Sequence, residues 1–343
     1  MFPTIPNRKV HQFVNILNVN MPPPEIPLPY IIDEFNFLEI LGEGNFGKVY
    51  KGINLNTNEE VAIKAIYKID SKLLKSDLYR ELWALQNIRC ENIVKFIKCF
   101  ETQYYIFIAM ERCDTDLEKY LIKVKKVSFS NEEIRDILLQ LNNAFRVMRQ
   151  NKLIHRDLKL DNIMMKFVDK EKTKYILKLA DFGQSRQINE NENEVRTKFK
   201  GANIIQAPEM RTGIYNEKCD LWSIGIMIHH LYFGYLPQYN YDYYINIFNR
   251  IESSQHMDPN LRDLLKKLLI IDKEKRISWK DYFNHPFFAY NVDKYTKISD
   301  FNLDFNENYD ENLYQCYIAN YNNSHKKYLI KSYNISFIRL QCS

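Results

Sequence analysis

The sequence of 343 residues lacks the features that mark secreted, zinc-binding and membrane-spanning proteins. Its six cysteines form no C-x-x-C pair and follow no regular spacing, so they indicate neither a zinc site nor a disulfide framework. The N-terminus has no uninterrupted apolar stretch of the kind that a secretory signal requires. The longest apolar run, 221–236, is broken by Ser223, His229 and His230, which predicts a buried helix and no membrane span. These absences predict reduced thiols and a cytoplasmic location, with the nucleus as an alternative.

An excess of one charge sign is also missing. The chain has 48 lysines and arginines against 43 aspartates and glutamates, and the two signs are mixed along it. Composition therefore gives no reason to predict a nucleic-acid partner. Hydrophobic residues make up 45% of the chain, which is enough for a sizeable buried core.

The chain divides into four parts by composition and periodicity. Residues 1–34 contain PPPEIPLP and are predicted to be a flexible, proline-rich N-terminal extension. Residues 35–112 hold five short β-prone runs and one helix near 71–88, which predicts a small antiparallel lobe. Residues 113–288 predict a larger, mainly helical lobe, and 289–343 form a polar tail of unknown role. The fold class is α+β.

Local signals place the elements of the larger lobe. Ser130 and Glu133 form a capping box that predicts the start of a helix. Further helices are predicted over 217–234, 242–252, 259–270 and 278–284, and Asp258 is the predicted N-cap of the one over 259–270. Short strands are predicted over 162–167 and 175–180.

Glycine is scarce, and the few glycines are clustered. Four of the nine lie in LGEGNFGKVYKG, residues 41–52, where Gly42, Gly44 and Gly47 have the spacing G-x-G-x-x-G. Glycine lets backbone N–H groups approach a bulky anion such as phosphate, but this spacing alone also occurs in dinucleotide-binding folds and in chance turns. Because the segment lies between two predicted strands, and not between a strand and a helix, a dinucleotide site is disfavoured.

Two charged residues follow the glycine segment. Lys64 stands on the next predicted strand, in VAIK, and Glu81 lies on the helix after it, where it is a candidate partner for the lysine. Taken alone, each has an ordinary explanation: Lys64 as a surface lysine whose ammonium reaches water, and Glu81 as a solvated helix charge.

Three further motifs follow in order along the chain: HRDLKLDN at 155–162, DFG at 181–183 and APE at 207–209. Each of them alone is explained by a turn or a helix cap, but their order and intervals together are not explained by coincidence. With the glycine segment and Lys64, they resemble the eukaryotic protein kinases over residues 35–288. The resemblance implies a bilobal fold and transfer of a phosphoryl group from ATP to a protein hydroxyl group.

The resemblance implies a role for each motif residue. The catalytic residues would be Lys64, Glu81, Asp157 and Lys159. Lys64, held by its pairing with Glu81, would bind the α and β phosphates; Asp157 would orient the substrate hydroxyl and accept its proton, and Lys159 would neutralise charge on the transferred group. The loop over the triphosphate of ATP would consist of Gly42, Glu43, Gly44, Asn45, Phe46 and Gly47. The adenine and ribose slot would consist of Leu41, Val49, Ala62, Met110, Glu111, Cys113, Asp116, Met164 and Ala180. Mg²⁺ would be held by Asn162 and Asp181.

Other matched residues have structural roles in the family. Four of them would form a stack that couples the lobes: Leu85, Phe96, His155 and Phe182. A buried ion pair would join Glu209 to Arg276, and Asp220 would anchor a helix to the catalytic loop.

Substrate class and regulation depend on less regular features. The lysine of HRDLK is typical of serine/threonine kinases, but Ala202, in GANIIQAPE, replaces the usual threonine and predicts reduced turnover. Arg156 beside Asp157 is typical of kinases controlled by phosphorylation, for which Thr197 and Ser185 are the candidate acceptors. The segments KRISWKDYFNHPFF and KLADFGQSR resemble the autophagy-initiating and calmodulin-kinase-like groups.

The expected partners are protein substrates. Asp116 and Asp161 predict a weak preference for basic residues before the acceptor hydroxyl, and the two tails are candidates for binding a regulatory partner. Two alternatives to an active protein kinase are a nucleotide-binding pseudokinase scaffold and a kinase of small metabolites. The intact catalytic and metal-binding residues disfavour the first alternative, and the APE and DLWSIG segments disfavour the second.

Overall fold

The computed structural model describes residues 25–44, 47–68, 72–188, 194–196, 204–237 and 243–289. These residues form a β-sheet with one helix, followed by a mainly helical region. This is the order of elements that the sequence predicted, and we call the two regions the small and the large lobe.

The small lobe is built on a six-stranded antiparallel sheet with the strand order β1-β2-β3-β4-β6-β5. Its strands are β1 (Tyr30–Ile32), β2 (Phe35–Gly44), β3 (Gly47–Asn54), β4 (Glu59–Tyr67), β5 (Phe96–Glu101) and β6 (Tyr105–Glu111). The sequence predicted five of these strands. The additional strand, β1, lies inside the segment 1–34 that was assigned to the extension, and it pairs with the first residues of β2.

The alternation of side chains along β4 separates a core face from a cleft face. Val61, Ile63 and Ala65 are buried in an apolar cluster that belongs to the sheet alone. Ala62 and Lys64 point to the opposite face, because neighbouring residues of a strand alternate. The strand therefore presents Lys64 on the side away from the core of the sheet.

The helix α1 (Lys72–Asn87) connects the sheet to the large lobe. Leu82, Leu85 and Ile88, which lie on one side of this helix, are buried in the same apolar cluster as the helices of the large lobe. The core is thus continuous between the lobes on the side of α1, and this places Glu81 near the cleft.

The described part of the large lobe contains the helices α2 (Leu117–Tyr120), α3 (Asn131–Gln150), α4 (Lys218–Phe233), α5 (Tyr243–Ser253), α6 (Pro259–Leu268) and α7 (Trp279–Phe283). Helix α3 begins at the predicted capping box: Ser130 Oγ accepts from the Glu133 N–H at 3.2 Å, and Glu133 Oε2 accepts from the Ser130 N–H at 2.8 Å. Asp258 caps α6 with its side chain alone: its Oδ1 accepts from the N–H groups of Asn260 and Leu261, and Pro259 lies in the first turn.

Helix α4 lies at the centre of the large lobe. Every residue from Cys219 to Leu231 is buried, so the apolar run in the sequence is a core helix, as predicted. The helix ends at Gly234, whose φ is +80°, and a Cβ atom there would lie 1.9 Å from the Val127 carbonyl oxygen. Only glycine fits this position without moving the backbone. No helix in the described ranges has the length and apolar character needed to cross a membrane.

Short strands hold the loops of the large lobe. One three-stranded sheet contains β7 (Thr115–Asp116), β9 (Ile163–Phe167) and β10 (Tyr175–Leu179). In addition, β8 (Leu153–Ile154) pairs with β11 (Arg186–Gln187), and β12 (Val195–Arg196) pairs with β13 (Ile214–Tyr215). Residues 155–162 run from β8 to β9, and residues 180–185 run from β10 to β11.

Candidate active site

Two loops carry most of the candidate catalytic residues, and paired strands fix both of their ends. Ile154 pairs with Arg186 on one side, and Ile163 pairs with Leu179 on the other. The HRDLKLDN loop and the DFG loop therefore run side by side between the same two strand pairs, β8 with β11 and β9 with β10. The Ala180 N–H also donates to the Asn162 carbonyl oxygen at 2.9 Å. Strand pairing thus places the candidate metal-binding residues Asn162 and Asp181 next to each other.

Lys64 joins the two lobes through an ion cluster. Its Nζ atom lies 2.7 Å and 2.9 Å from the two carboxylate oxygens of Glu81, and 3.2 Å from Oδ1 of Asp181. The three charges come from β4, from α1 and from the DFG loop. The pairing of Lys64 with Glu81 that the resemblance implied is present, and Asp181 is a further partner.

The charges of this cluster hold one another in the ionised state. Burial by itself lowers the pKa of the Lys64 ammonium, but the charges of Glu81 and Asp181 outweigh burial and raise this pKa above its usual value. Burial by itself raises the pKa of Asp181, but the charge and hydrogen bond of Lys64 lower it below its usual value. A cation and an anion therefore stand side by side in the cleft at neutral pH.

The HRDLKLDN loop is held together by its own polar side chains. Asn162 Nδ2 donates to two oxygens of Asp157: the backbone carbonyl oxygen at 2.8 Å and the carboxylate Oδ2 at 3.0 Å. Lys159 Nζ lies 3.3 Å from Oδ2 of Asp157 and 3.3 Å from Oδ2 of Asp161. The structure thus brings together Asp157, Lys159 and Asn162, which the sequence singled out.

Buried Asp220 of α4 fixes the start of this loop. Its Oδ2 accepts from the His155 N–H at 2.8 Å, and its Oδ1 accepts from the Arg156 N–H at 2.9 Å. Arg156 has a φ of +69°, a conformation that is unfavourable for a residue with a side chain. The two hydrogen bonds to Asp220 offset this strain, and the next residue along the chain is Asp157.

The DFG loop places its phenylalanine in the core and its aspartate in the cleft. The Phe182 ring is fully buried, with its centroid 5.0 Å from that of His155. Leu85 is buried and Phe96 is partly buried in the same apolar cluster. The side chain of Asp181 keeps 34% of its surface exposed, so it remains accessible to a ligand.

The glycine-rich segment forms the ends of β2 and β3, where Gly42 pairs with Val49 and Gly44 pairs with Gly47. Gly47 has a φ of +136°, and a Cβ atom there would lie 1.9 Å from the carbonyl oxygen of Ala65. The third glycine is therefore required for contact with β4, independently of any ligand. Asn45 and Phe46 of the predicted loop lie outside the described residues, whereas Leu41 and Glu43 are exposed.

The predicted adenine slot is consistent with the strand register. Ala62 pairs with Met110, Val49 pairs with Lys64, and Met164 pairs with Asp116 across the small sheet of the large lobe. Apart from exposed Leu41, the apolar members of the slot are half-buried, as expected for side chains that line an open cleft. These residues are Val49, Ala62, Met110, Met164 and Ala180.

Other residues of the predicted slot have partners within the protein. Asp116 is the N-cap of α2: its Oδ1 accepts from the Lys119 N–H at 2.7 Å, and its Oδ2 lies 2.9 Å from Lys119 Nζ. Cys113 is half-buried, and burial raises the pKa of its thiol to about 12, so the thiol stays neutral.

The ion pairs of the Glu111 side chain were not predicted from the sequence, which placed this residue only in the adenine and ribose slot. Its Oε1 lies 2.8 Å from Lys178 Nζ and accepts from the Lys95 N–H at 2.8 Å, and its Oε2 lies 3.1 Å from Lys166 Nζ. These contacts tie the end of β6 to β9 and β10. The signal in the sequence was Lys178 itself, a buried lysine within the apolar strand YILKL.

The predicted regulatory residues are only partly described. Arg156 Nη1 donates to the Tyr215 hydroxyl at 2.8 Å, and its Nε donates to the Gln184 carbonyl oxygen. Ser185 is fully buried, and its hydroxyl has no hydrogen-bond partner in the described part of the chain. Modification of Ser185 would therefore require the surrounding segment to move. Thr197 and Ala202 lie outside the described residues.

The predicted ion pair of the large lobe is present. Arg276 Nη1 lies 2.6 Å from Oε1 of Glu209, and Nη2 lies 3.0 Å from its Oε2. This two-point contact fixes the APE segment on the C-terminal helices.

Comparison with known proteins identifies the family. The protein kinase domain matches residues 35–288. The chain is 33% identical over 271 residues to serine/threonine-protein kinase unc-51 of Caenorhabditis elegans, a match that covers 74% of this chain and 31% of the relative. It is 31% identical over 276 residues to serine/threonine-protein kinase atg1 of Dictyostelium discoideum, covering 76% of this chain and 39% of the relative.

A third relative comes from another group. The chain is 30% identical over 276 residues to calcium-dependent protein kinase 3 of Plasmodium yoelii yoelii, covering 78% of this chain and 49% of the relative. The matched region therefore spans less than half of the length of each of these relatives. The expected fold class is confirmed, and the chain belongs to the protein kinase family.

Proposed function

We propose that this protein is a serine/threonine protein kinase that transfers the terminal phosphoryl group of ATP to serine or threonine hydroxyls of protein substrates. The observation that carries this proposal is the position of Lys64, whose Nζ lies 2.7 Å from Glu81 and 3.2 Å from Asp181. This contact joins a phosphate-binding lysine on the small lobe to a cation-binding carboxylate on the large lobe.

Phosphoryl transfer needs positioning and charge neutralisation more than covalent chemistry, and the side chains of the cleft supply both. Lys64 offers its ammonium to phosphate oxygens while Glu81 holds it in place. Asp157 orients the attacking hydroxyl and accepts its proton. Lys159, 3.3 Å from Asp157, offsets the negative charge that develops on the transferred group.

The donor atoms of the cleft fit Mg²⁺. Asp181 contributes a partly exposed carboxylate, and Asn162, whose Nδ2 donates to Asp157, contributes its amide oxygen. In the described ranges, no cluster of three or more histidine, cysteine, aspartate or glutamate side chains forms a dedicated metal site. Mg²⁺ is suited to such a sparse oxygen site, because it keeps several waters and binds substrate phosphates. When bound, it would neutralise phosphate charge.

The choice of substrate is a finer proposal. Asp161 is exposed at the end of the HRDLKLDN loop, where it lies 3.3 Å from Lys159. We expect its carboxylate to favour substrates with arginine or lysine before the acceptor hydroxyl. A peptide array tests this expectation, and a preference for acidic residues at those positions would contradict it.

The test of the activity is incorporation of labelled phosphate from ATP into generic protein substrates by the purified full-length chain. We expect label on serine and threonine, with the Asp157→Asn variant slower by about 10²- to 10⁴-fold because it lacks the proton acceptor. Nucleotide binding without incorporation by the unmodified protein would instead support a scaffold that acts through partners. Label on tyrosine alone would overturn the substrate class.

A further inference from the structure

Two adjoining turns of the large lobe expose aliphatic side chains and lysines outside the cleft. The first turn, residues 122–127, has the sequence IKVKKV and follows α2. Ile122, Val124 and Val127 are 62%, 58% and 73% exposed, so three of the five most exposed large hydrophobic residues in the described ranges lie within six positions. Single exposed aliphatic side chains are common on protein surfaces, whereas clustered ones indicate an interaction site.

The backbone of the first turn is fixed by the residues on either side of it. Leu121 and Phe129 are both buried in the core of the large lobe. The Lys126 N–H donates to the Leu121 carbonyl oxygen at 2.7 Å, and the Phe129 N–H donates to the Leu231 carbonyl oxygen at 2.9 Å. The aliphatic side chains of this turn are therefore presented by an ordered backbone, and a partner need not order it on binding.

The second turn, residues 168–174, connects β9 to β10 and lies beside the first. The ring of Tyr120 lies between the two turns, with its centroid 6.3 Å from that of Phe129 and 6.3 Å from that of Phe167. Val168, at the start of the second turn, is 57% exposed. We call the two turns together the lysine–aliphatic surface.

Positive charge is in excess on the lysine–aliphatic surface. Each turn has three lysines, and the only carboxylates of the two turns are those of Asp169 and Glu171. Asp169 accepts hydrogen bonds from two backbone N–H groups of its own turn, and Lys125 pairs with Glu133 at 2.6 Å. The other five lysines form no ion pair with a residue that the structure describes: Lys123, Lys126, Lys170, Lys172 and Lys174.

These features fit the headgroup region of a membrane better than the surface of a protein. Lysine is depleted in protein–protein interfaces, because ordering its long side chain is costly. At a membrane the ammonium group stays in water beside the headgroups, while the lysine stem and neighbouring aliphatic side chains enter the apolar boundary. Charge complementarity then specifies an anionic leaflet, since each lysine near such a leaflet adds to the attraction.

We propose that the lysine–aliphatic surface binds this protein reversibly to membranes that contain anionic lipids. Ile122, Val124 and Val127 enter the headgroup region, and the unpaired lysines of both turns contact the anionic groups of the lipids. None of the residues that we assign to the active site belongs to this surface. Membrane binding and phosphoryl transfer can therefore be measured separately.

The test is co-sedimentation of the purified full-length chain with lipid vesicles, in which the bound fraction is measured against lipid concentration. Vesicles of phosphatidylcholine with about 30% phosphatidylserine should bind at least about tenfold more tightly than vesicles of phosphatidylcholine alone. Added salt should weaken this binding, because it shortens the Debye length from about 10 Å at 0.1 M to about 3 Å at 1 M.

A double charge reversal tests the role of the lysines. Lys123→Glu with Lys126→Glu should weaken binding to the anionic vesicles at least about tenfold. Lys275→Glu with Lys280→Glu is the matched control, because it makes the same change in net charge at two exposed lysines outside the surface. We expect the control to bind more tightly than the variant of the surface.

A second double variant tests the aliphatic side chains without changing the charge. Ile122→Ser with Val127→Ser should weaken binding to the anionic vesicles about tenfold, because less apolar area enters the headgroup region. Ile245→Ser with Ile271→Ser is the matched control, since these isoleucines are 61% and 49% exposed outside the surface. An unchanged melting temperature shows that each variant is folded.

Three results would overturn the proposal: no saturable binding to the anionic vesicles, equal weakening by the two lysine variants, or undiminished binding by Ile122→Ser with Val127→Ser. Poly-glutamate serves as the probe for an acidic protein partner. If the chain binds poly-glutamate but not the anionic vesicles, and Lys123→Glu with Lys126→Glu abolishes that binding, the surface binds an acidic protein and the membrane proposal is wrong.

Discussion

Lys64 and Arg276 are both largely buried cations that bind the two carboxylate oxygens of a largely buried glutamate, yet their other hydrogen-bond donors are used differently. Arg276 Nε also donates to the Ile270 carbonyl oxygen at 3.0 Å, and Nη1 donates to that of Lys218 at 2.9 Å, so the guanidinium is enclosed by protein acceptors. Lys64 also contacts Asp181, whose side chain is 34% exposed. The guanidinium of Arg276 is thus paired inside the protein, whereas the ion cluster of Lys64 includes a carboxylate that faces the cleft.

This difference separates a structural ion pair from a functional one. A buried ion pair stabilises a protein only when its hydrogen bonds are satisfied, and the loss of one partner is then strongly destabilising. A cluster that retains accessible atoms gives up part of this stabilisation and can exchange an internal contact for a ligand. The following predictions test whether the two clusters differ in this way.

The largest expected effect follows from replacement of the enclosed cation. Arg276→Leu should lower the free energy of unfolding by about 3–5 kcal/mol, because it leaves Glu209 buried without its partner. Urea denaturation measures this change. Lys275→Leu is the control, because Lys275 is 79% exposed and its pairing with Asp272 at 3.8 Å should contribute less than about 1 kcal/mol. Similar losses in the two variants would remove the distinction between the clusters.

Replacement of the cation in the cleft should affect the reaction more than the fold. Lys64→Met should lower kcat/KM by about 10²- to 10³-fold, the usual effect of removing a donor that stabilises transferred charge. Lys64→Met also removes a partner of Glu81, whose side chain is only 5% exposed. The loss in unfolding free energy should still be smaller than for Arg276→Leu, because Arg276 also donates to the Ile270 and Lys218 carbonyl oxygens and water reaches Asp181. Steady-state kinetics and urea denaturation measure the two effects. Lys51→Met on the neighbouring strand, where Lys51 pairs with Glu60 at 2.8 Å, is the matched control.

The smallest effect concerns a buried group of α4 that is held neutral. Burial lowers the pKa of His230 to about 4. The unfolded chain therefore binds a proton more readily than the folded chain between about pH 6.5 and 4, and stability that is present above pH 6.5 is lost as the pH falls through this window. Between pH 7 and pH 5.5, His230→Gln should lose about 1 kcal/mol less unfolding free energy than the unmodified chain. Equal losses would show that His230 titrates normally.

Much of the fold follows from signals that act over a few residues. The starts of α3 and α6 were predicted from Ser130, Glu133 and Asp258, because a cap and the N–H groups that it satisfies are neighbours in the chain. The strand β1 was missed, because a proline-rich segment precedes it directly and only its pairing with β2 reveals it. The contact of Glu111 with Lys178 was missed for a related reason, since 67 positions separate the two residues.

The sequence alone determined the inventory of the cleft: which residue types are present, on which elements they lie, and that their order is the order of a protein kinase. Only the tertiary structure decided how these residues share their charges, with Asp181 as a second partner of Lys64 and Asp116 used as a helix cap. The physical reason is distance. Caps, alternation and glycine geometry depend on neighbours along the chain, whereas ion pairing and burial depend on groups that only folding brings together.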